Sequence, residues 1–585
     1  MKRKTIFSAL VIVFTICSFA GFAFGQYDVV ATQDGAWTNV DTWGGLDTPT
    51  AADDAQIENN FTVTIGTGEA ADAYRVILGD NTSGNSGTID MTGGTLSTDR
   101  VISLGGFEVT GTNGTGILNQ SGGDIIIGVY NPGTGAEMLV VGDATTTTGY
   151  YNLSGTGTLS APGGIRVANA VSTVGQIHQT NGSISTAFID VGRNGSGTYL
   201  LEGGSVALST GGFAVGVNFD GTGSVTQSGG SITASYIDVG RGGNGTYILE
   251  SGSITSSSVG VELGRFVDSS GSFTQSGGSV TTLSQDLNIA EKGDAVYTMT
   301  GGTIDVADDL FIGRNGTGTN SGILTQSSGT VTITDAIWIS NIVNSMGTYS
   351  LSGDAYVSSG GDLNVCSAVA ANNSTPSGAS GTLNIAGENV TMTVGGNLNA
   401  SGAGADAANS SKINFTTGAL GDVSTISVAG SADIDGAVFD IIESTPVAPG
   451  TVLDLITTGG GVSNLGTATL GPTATGTWTL QLGGISNEIL QAVKASVVPG
   501  DTNDDGIVDS KDAEKLASNW GAPVGTAGYS EGDFNGDGVV NALDASIMAA
   551  NWGNHNESAM GAVPEPSSIV LLIGVLLCVV LRRKS

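Results

Sequence analysis

The residues with the densest chemistry lie near the C-terminus, in GDTNDDGIVDSKDAEKLASNWG (500–521) and GDFNGDGVVNALDASIMAANWG (532–553). Each follows the order Asp-x-Asn-x-Asp-Gly with a further acidic residue at the twelfth position, and the two first aspartates are 32 residues apart. A hard divalent cation such as Ca2+ collects six to eight oxygen ligands, and a loop with oxygens at alternate positions lines one concave side with them. In the first loop the candidate ligands are Asp501, Asn503, Asp505, the carbonyl of Ile507, Asp509 through water, and Asp512. In the second they are Asp533, Asn535, Asp537, the carbonyl of Val539, Asn541 and Asp544. Gly506 and Gly538 allow the sharp turn. Two calcium ions are expected, and the carboxylates of the two loops repel one another without them, so binding energy should become folding energy.

The elements that must hold these loops are short. One helix is predicted after each loop, over 513–519 and 545–551, ending in Asn-Trp-Gly, and no apolar helix precedes either loop. This order of loop and single helix, with Asp at position 12, resembles the type I dockerins and occupies 498–556. The resemblance implies calcium-dependent docking to a cohesin-like module or surface scaffold. Loop positions 10 and 11, which the resemblance ties to partner choice, are Ser510-Lys511 and Ala542-Leu543, which differ between the repeats and depart from a Ser-Thr pair.

Upstream, the chain repeats itself. IHQTNGSISTAFIDVGRNGSGTYLLEGGSV is followed by VTQSGGSITASYIDVGRGGNGTYILESGSI, and an apolar residue precedes a small one at Val191-Gly192, Val215-Gly216, Val239-Gly240 and Leu263-Gly264. The mark continues at Ile289-Ala290, Ile312-Gly313, Ile339-Ser340 and Val365-Cys366, and upstream at Leu78-Gly79, Leu104-Gly105, Val141-Gly142 and Val167-Ala168. A period of about 24 residues built of strand, turn, strand, turn cannot bury its own apolar face, so neighbours must stack. The reading is a mainly β fold: a right-handed parallel β-helix over 67–366, then a small α-helical calcium-binding module. A β-propeller is the competitor, but its blades need ~40 to 50 residues. At about 4.8 Å per stacked strand, roughly 15 to 19 rungs would extend ~70 to 90 Å.

Within the repeat, inward positions Leu201, Gln227, Leu249, Gln275, Met299 and Gln326 place an amide on every second rung. A buried amide without partners costs about 1 to 3 kcal/mol, so each Gln should bond to backbone in its corner. Residues 26–66 form an N-terminal cap, in which Trp37 and Trp43 cover the first rung or, alternatively, offer an aromatic platform to carbohydrate. Trp37, Trp43, Pro49, Asp53-Asp54-Ala55 and Ile57 resemble the opening of secreted bacterial proteins with autotransporter-associated β-strand repeats. Residues 367–497 read as an irregular C-terminal β region and cap.

The termini are addresses. Lys2-Arg3-Lys4, an apolar run and Ala23-Phe24-Gly25 read as a secretory signal peptide over 1–25. At the other end Val563-Pro-Glu-Pro-Ser, the apolar run Ile569 to Leu581 and Arg582-Arg583-Lys584 resemble a PEP-CTERM sorting signal over 562–585. That resemblance implies transient inner-membrane retention, processing by an exosortase-type enzyme, and a surface or extracellular destination among polysaccharides. The terminal segments hold six of the 18 basic residues and one of the 53 acidic ones, which leaves 12 basic against 52 acidic residues. So negative a chain is not built for nucleic acid or an anionic membrane. Cys366 is the one cysteine outside the terminal segments, which rules out an internal disulfide framework.

The expected function is a secreted or surface structural and adhesive solenoid, with extracellular polysaccharide as a further candidate partner. The alternative is a β-helix polysaccharide lyase or hydrolase delivered by the docking module. His178 and His555 are the only histidines, and Arg193, Arg241, Arg265, Arg314, Asp190 and Asp238 recur with the repeat as scaffold residues do. Lys292 beside Glu291, with Asp286 and Asp294, is the one local constellation for proton abstraction. No enzymatic activity is therefore expected.

Overall fold

The computed structural model describes residues 28–45, 47–79, 85–106, 113–128, 138–314, 320–342, 345–366, 379–400, 410–471, 474, 478–494, 498–503, 506–521 and 528–554. The signal peptide, the sorting tail, His555 and Asp505 lie outside them. The chain divides into two compact units: Met1–Ile189 with Asn194–Thr198, and Asp190–Arg193 with Tyr199–Ser585.

Both units use the same coil, and the coil has three sides where the sequence predicted two. In the second unit one rung runs through the strands Ser270–Gln275, Ser279–Thr282 and Leu287–Ile289. The Gly-Gly turn after the first strand starts a separate short strand, which the sequence pattern alone merges with the first run. In Ser270–Gln275, Gly271, Phe273 and Gln275 are buried and the residues between them are not, as the pleat requires. Each side pairs in parallel and in register with the same side of the next rung, for example Tyr247 with Phe273 and Phe273 with Tyr297. The first unit repeats this, with Ile117 opposite Tyr150 and Leu139 opposite Ile165. The result is a parallel β-solenoid.

The apolar-small mark is a corner. Gly79, Gly105, Gly142, Gly192, Gly216, Gly240, Gly264 and Gly313 have φ between 60° and 93°, and Ala168, Ala290, Ser340 and Cys366 hold the same left-handed conformation at 53° to 64°. At Gly192 the approach of the next rung excludes any side chain, since a Cβ there would lie 2.1 Å from the Thr222 carbonyl oxygen, and the corners without glycine hold only Ala, Ser or Cys. Cys366 is thus a small packed residue. Its Sγ lies 3.3 Å from the Ala379 carbonyl, and burial pushes its thiol pKa up.

The interior glutamines are fully buried and bonded as expected. Gln227 Nε2 donates to the carbonyls of Gly230 and Ser253, each at 3.2 Å. The sequence reading missed the third bond: the Tyr247 hydroxyl, one rung on, donates to Gln227 Oε1 at 2.5 Å. Tyr151–Gln120, Tyr297–Gln275 and Tyr349–Gln326 repeat the pair at 2.6 to 2.7 Å. Aromatic rings stack along the same column, with Tyr247, Phe273 and Tyr297 centroids 4.8 and 4.6 Å apart in sequence.

At the N-terminal end Trp37 and Trp43 are buried edge to face at 5.1 Å, and Trp43 Nε1 donates to the Trp37 carbonyl. They cap the coil and offer no exposed platform. Beyond residue 366 the coil goes on: Leu363–Val365 pairs with Leu398–Asn399, and Thr391–Val394 with Ile426–Val428. It closes with antiparallel strands, Val452–Thr458 against Ile489–Lys494 against Trp478–Gly483. Turning the last edge antiparallel removes the open parallel template on which another chain could add.

Candidate functional site

The two acidic loops lead into α1 (Ser510–Ser518) and α2 (Ala542–Ala550). Both helices start three residues earlier than the sequence predicted, because loop position 9 is the N-cap. Asp509 accepts from the Lys511 N–H and Asn541 from the Leu543 N–H, at 2.7 and 2.8 Å. Position 12 completes the cap: Asp512 and Asp544, at the third helical position, accept the N–H of Asp509 and Asn541 at 2.8 and 2.9 Å. A reciprocal cap of this kind satisfies two orphan donors at once and puts negative charge at the positive end of each helix.

The second oxygens of those residues face back into the loops. Asp512 Oδ1 accepts the Thr502 N–H at 2.8 Å, and Asp544 Oδ1 accepts the N–H of Phe534 at 2.8 Å and of Asn535 at 3.1 Å. Position 1 is bound the same way: Asp501 Oδ2 accepts the Gly506 N–H, and Asp533 Oδ2 that of Gly538, both at 2.8 Å. Asp501, Asp512, Asp533 and Asp544 are buried. Asn535, Asp537 and Val539 lie on the exposed side of the second loop. The Asn535 amide and the Val539 N–H, both donating to Asp537, hold its carboxyl below the usual range. Asn541 Nδ2 donates to the Val539 carbonyl at 3.1 Å. In the first loop Asn503 is exposed and Ile507 half-buried.

These residues suit a hard cation. Each loop presents buried acceptor-only carboxylates at positions 1 and 12, and Gly506 and Gly538 turn with φ of 79° and 86°. Asp501, Asn503, Ile507, Asp509 and Asp512 would hold one ion, with Asp505 by sequence; Asp533, Asn535, Asp537, Val539, Asn541 and Asp544 would hold the other. The ion would supply positive charge that neutralises the carboxylates.

The loops also strap each other. The Gly553 N–H, after α2, bonds the Val508 carbonyl of the first loop at 2.9 Å, and the Gly521 N–H, after α1, bonds the Val540 carbonyl of the second at 2.8 Å. Val508, Ala513, Leu516, Val540 and Met548 form a core between the helices, with Trp520, Phe534 and Trp552 packed against it. The repeated Asn-Trp-Gly is therefore the tie between halves. The sequence reading used it only as a helix end.

In the solenoid the recurring charges form a ladder. Asp238 and Glu262 stand opposite each other on adjacent rungs. Arg265 lies 2.7 Å from Asp238 and 2.9 Å from Glu262, and Arg241 lies 3.5 Å from Asp238. Burial, then the neighbouring Asp238, pushes the Glu262 carboxyl up to about 7, and burial pushes Asp238 up as well. Glu262 was not singled out from the sequence, although VEL occupies the same place in its repeat as IDV around Asp238. His178 lies on an outward position of its strand. Lys292 pairs with Glu291 at 3.4 Å, and Asp286 is held by Arg314 at 2.7 Å. Among the described residues Asp286, Asp308 and Asp309 bring carboxylate oxygens within 4.8 Å of one another. That cluster already receives the Arg314 guanidinium and the N–H groups of Asp309 and Ala336.

Comparison with protein families finds two matches: the dockerin type I domain over residues 499–552, and the PEP-CTERM protein-sorting motif over 562–584. Comparison with curated proteins and with solved structures gives no match. The chain thus joins a large β-solenoid to a dockerin-type region and a sorting motif that supports export to the cell surface.

Proposed function

From a solenoid, a dockerin type I domain and a PEP-CTERM motif in one chain, we propose a surface-displayed structural and adhesive protein that docks through a calcium-organised domain. The observation that carries this reading is the pair of capped, cross-strapped loops, whose buried carboxylates at positions 1 and 12 create an oxygen-rich cradle in each half. Two calcium ions would lock α1 and α2 into one presenting surface for a cohesin-like module. Ser510, Lys511, Ala542 and Leu543 are exposed at the first turns of the helices, where a partner can read them. The tail holds the chain at the inner membrane until an exosortase-type enzyme processes it, and the product remains outside the cell. In this reading the solenoid acts as scaffold, which the engagement of its recurring Arg and Asp residues with one another along the ladder supports.

Calcium titration calorimetry on the purified chain tests this. Two binding events are expected, with a gain in helical circular dichroism. The double variant Asp501→Ala, Asp533→Ala should lose both signals and keep the β spectrum. Neither heat nor helical change at millimolar calcium in the wild type would remove the docking proposal.

A further inference from the structure

The corners that follow the third side of the coil differ in length from rung to rung. Between Val215 and Thr222 the corner has six residues, between Val239 and Asn244 four, and between Leu263 and Ser270 six. The short corner lies back because Gly242 packs where a Cβ would come within 2.6 Å of the Val217 carbonyl oxygen. Each long corner projects a phenylalanine: Phe219 is 76% exposed and Phe266 44%. The recess between them has a volume of about 420 Å³. Two rungs separate the long corners, ~9.6 Å at the strand spacing, close to the length of one disaccharide.

The polar lining is planar and oriented. Asp190, Arg193, Asn218 and Arg241 reach the recess. The Arg241 guanidinium donates to the Tyr236 hydroxyl at 3.3 Å and sits 5.7 Å from the centre of the Tyr236 ring. Each arginine is matched by a carboxylate, Arg193 by Asp190 at 3.7 Å and Arg241 by Asp238 at 3.5 Å. Exposed aromatic side chains, Phe266 with the Arg265 guanidinium 5.5 Å from its ring centre, beside charge-balanced hydrogen-bonding groups suit a sugar ring, which has an apolar face and a rim of hydroxyls. A polyanion is disfavoured, because the cationic groups are balanced locally and the chain carries a net charge of −35.

We propose that this recess is a subsite for a neutral polysaccharide strand, with Phe219 and Phe266 flanking one disaccharide and Arg193, Asn218 and Arg241 bonding its hydroxyls. The proposal deepens the adhesive reading and rests on display of the solenoid outside the cell. Its test reads binding in vitro and does not involve the docking domain, so its failure leaves calcium binding and docking standing.

Affinity electrophoresis of the full chain, run with chelator, would use gels containing a neutral β-glucan, xylan or galactomannan, and parallel gels with alginate or polygalacturonate. Retardation by at least one neutral polymer is expected. It should weaken at least tenfold in Phe219→Ala, Phe266→Ala and persist in Leu283→Ala, which removes a 59% exposed side chain of the solenoid outside the recess lining. An unchanged thermal transition would show that the double variant is folded; if it is not, Arg241→Met and the single variants Phe219→Ala and Phe266→Ala carry the same expectation of loss. No retardation by any neutral polymer, retardation by the anionic ones alone, or undiminished binding in the folded Phe variants would overturn the proposal.

Discussion

The buried Tyr247–Gln227 pair shows how one side chain can specify a rung. The Gln227 amide donates two bonds to backbone and accepts one from the tyrosine, so its polar atoms are matched inside an apolar coil. Tyr247→Phe deletes one partner and leaves Oε1 with desolvation uncompensated, a cost of about 1 to 3 kcal/mol. Denaturant melts of Tyr247→Phe, Gln227→Met and the double variant should show a double variant much less unstable than the sum of the singles. Glu262 gives a pH prediction. Its folded pKa is raised from 4.5 to about 7, so its contribution is full below pH 4.5 and is lost as pH rises through about 7. The groups facing it are Asp238, Glu291 and Arg265. Between pH 5 and pH 8 the wild type should lose on the order of 2 kcal/mol relative to Glu262→Gln, whose amide donates to Asp238 at every pH. Parallel melts of the two proteins at each pH remove the contribution of the other acids; equal losses would sink the idea.

At the scale of elements, α1 and α2 each take two residues, at loop positions 9 and 12, for both capping and candidate cation ligation. Asn541 caps α2 and is also a candidate cation ligand, whereas Asp533 contributes no cap to α2. Asn541→Ala should therefore lower helix content in the presence of chelator, at a cost of about 1 kcal/mol. Asp533→Ala should have its main effect once calcium is added. Circular dichroism at 222 nm with and without calcium separates the two. Identical behaviour of both variants under chelation would show that capping and cation binding are not divided in this way.

At the scale of the whole molecule, the sorting motif over residues 562–584 makes tail processing the step to test. Mass spectrometry of the protein from its native host should recover peptides from the solenoid and the dockerin-type region on the exported form and none covering Ile569 to Ser585. An intact tail there would replace processing with permanent anchoring.

The period, the parallel stacking it forces, the glutamine on alternate rungs, and the two Asp-x-Asn-x-Asp-Gly loops are legible in the order of residues. Each of these rests on local chemistry, since a 24-residue unit cannot bury itself and an Asp-x-Asn-x-Asp-Gly loop carries its oxygens within one turn. Tertiary structure alone decided what crosses between rungs and between repeats. The tyrosines that satisfy Gln120, Gln227, Gln275 and Gln326 come from the next rung, and Glu262 meets Asp238 only when their strands pair in register. Gly521 and Gly553 strap the opposite loops, and a short corner between two long ones opens the Phe219–Phe266 recess. Partners about 20 or more residues apart leave no mark in local spacing, because the groups that meet are chosen by the register of the stack or by the packing of one loop on the other.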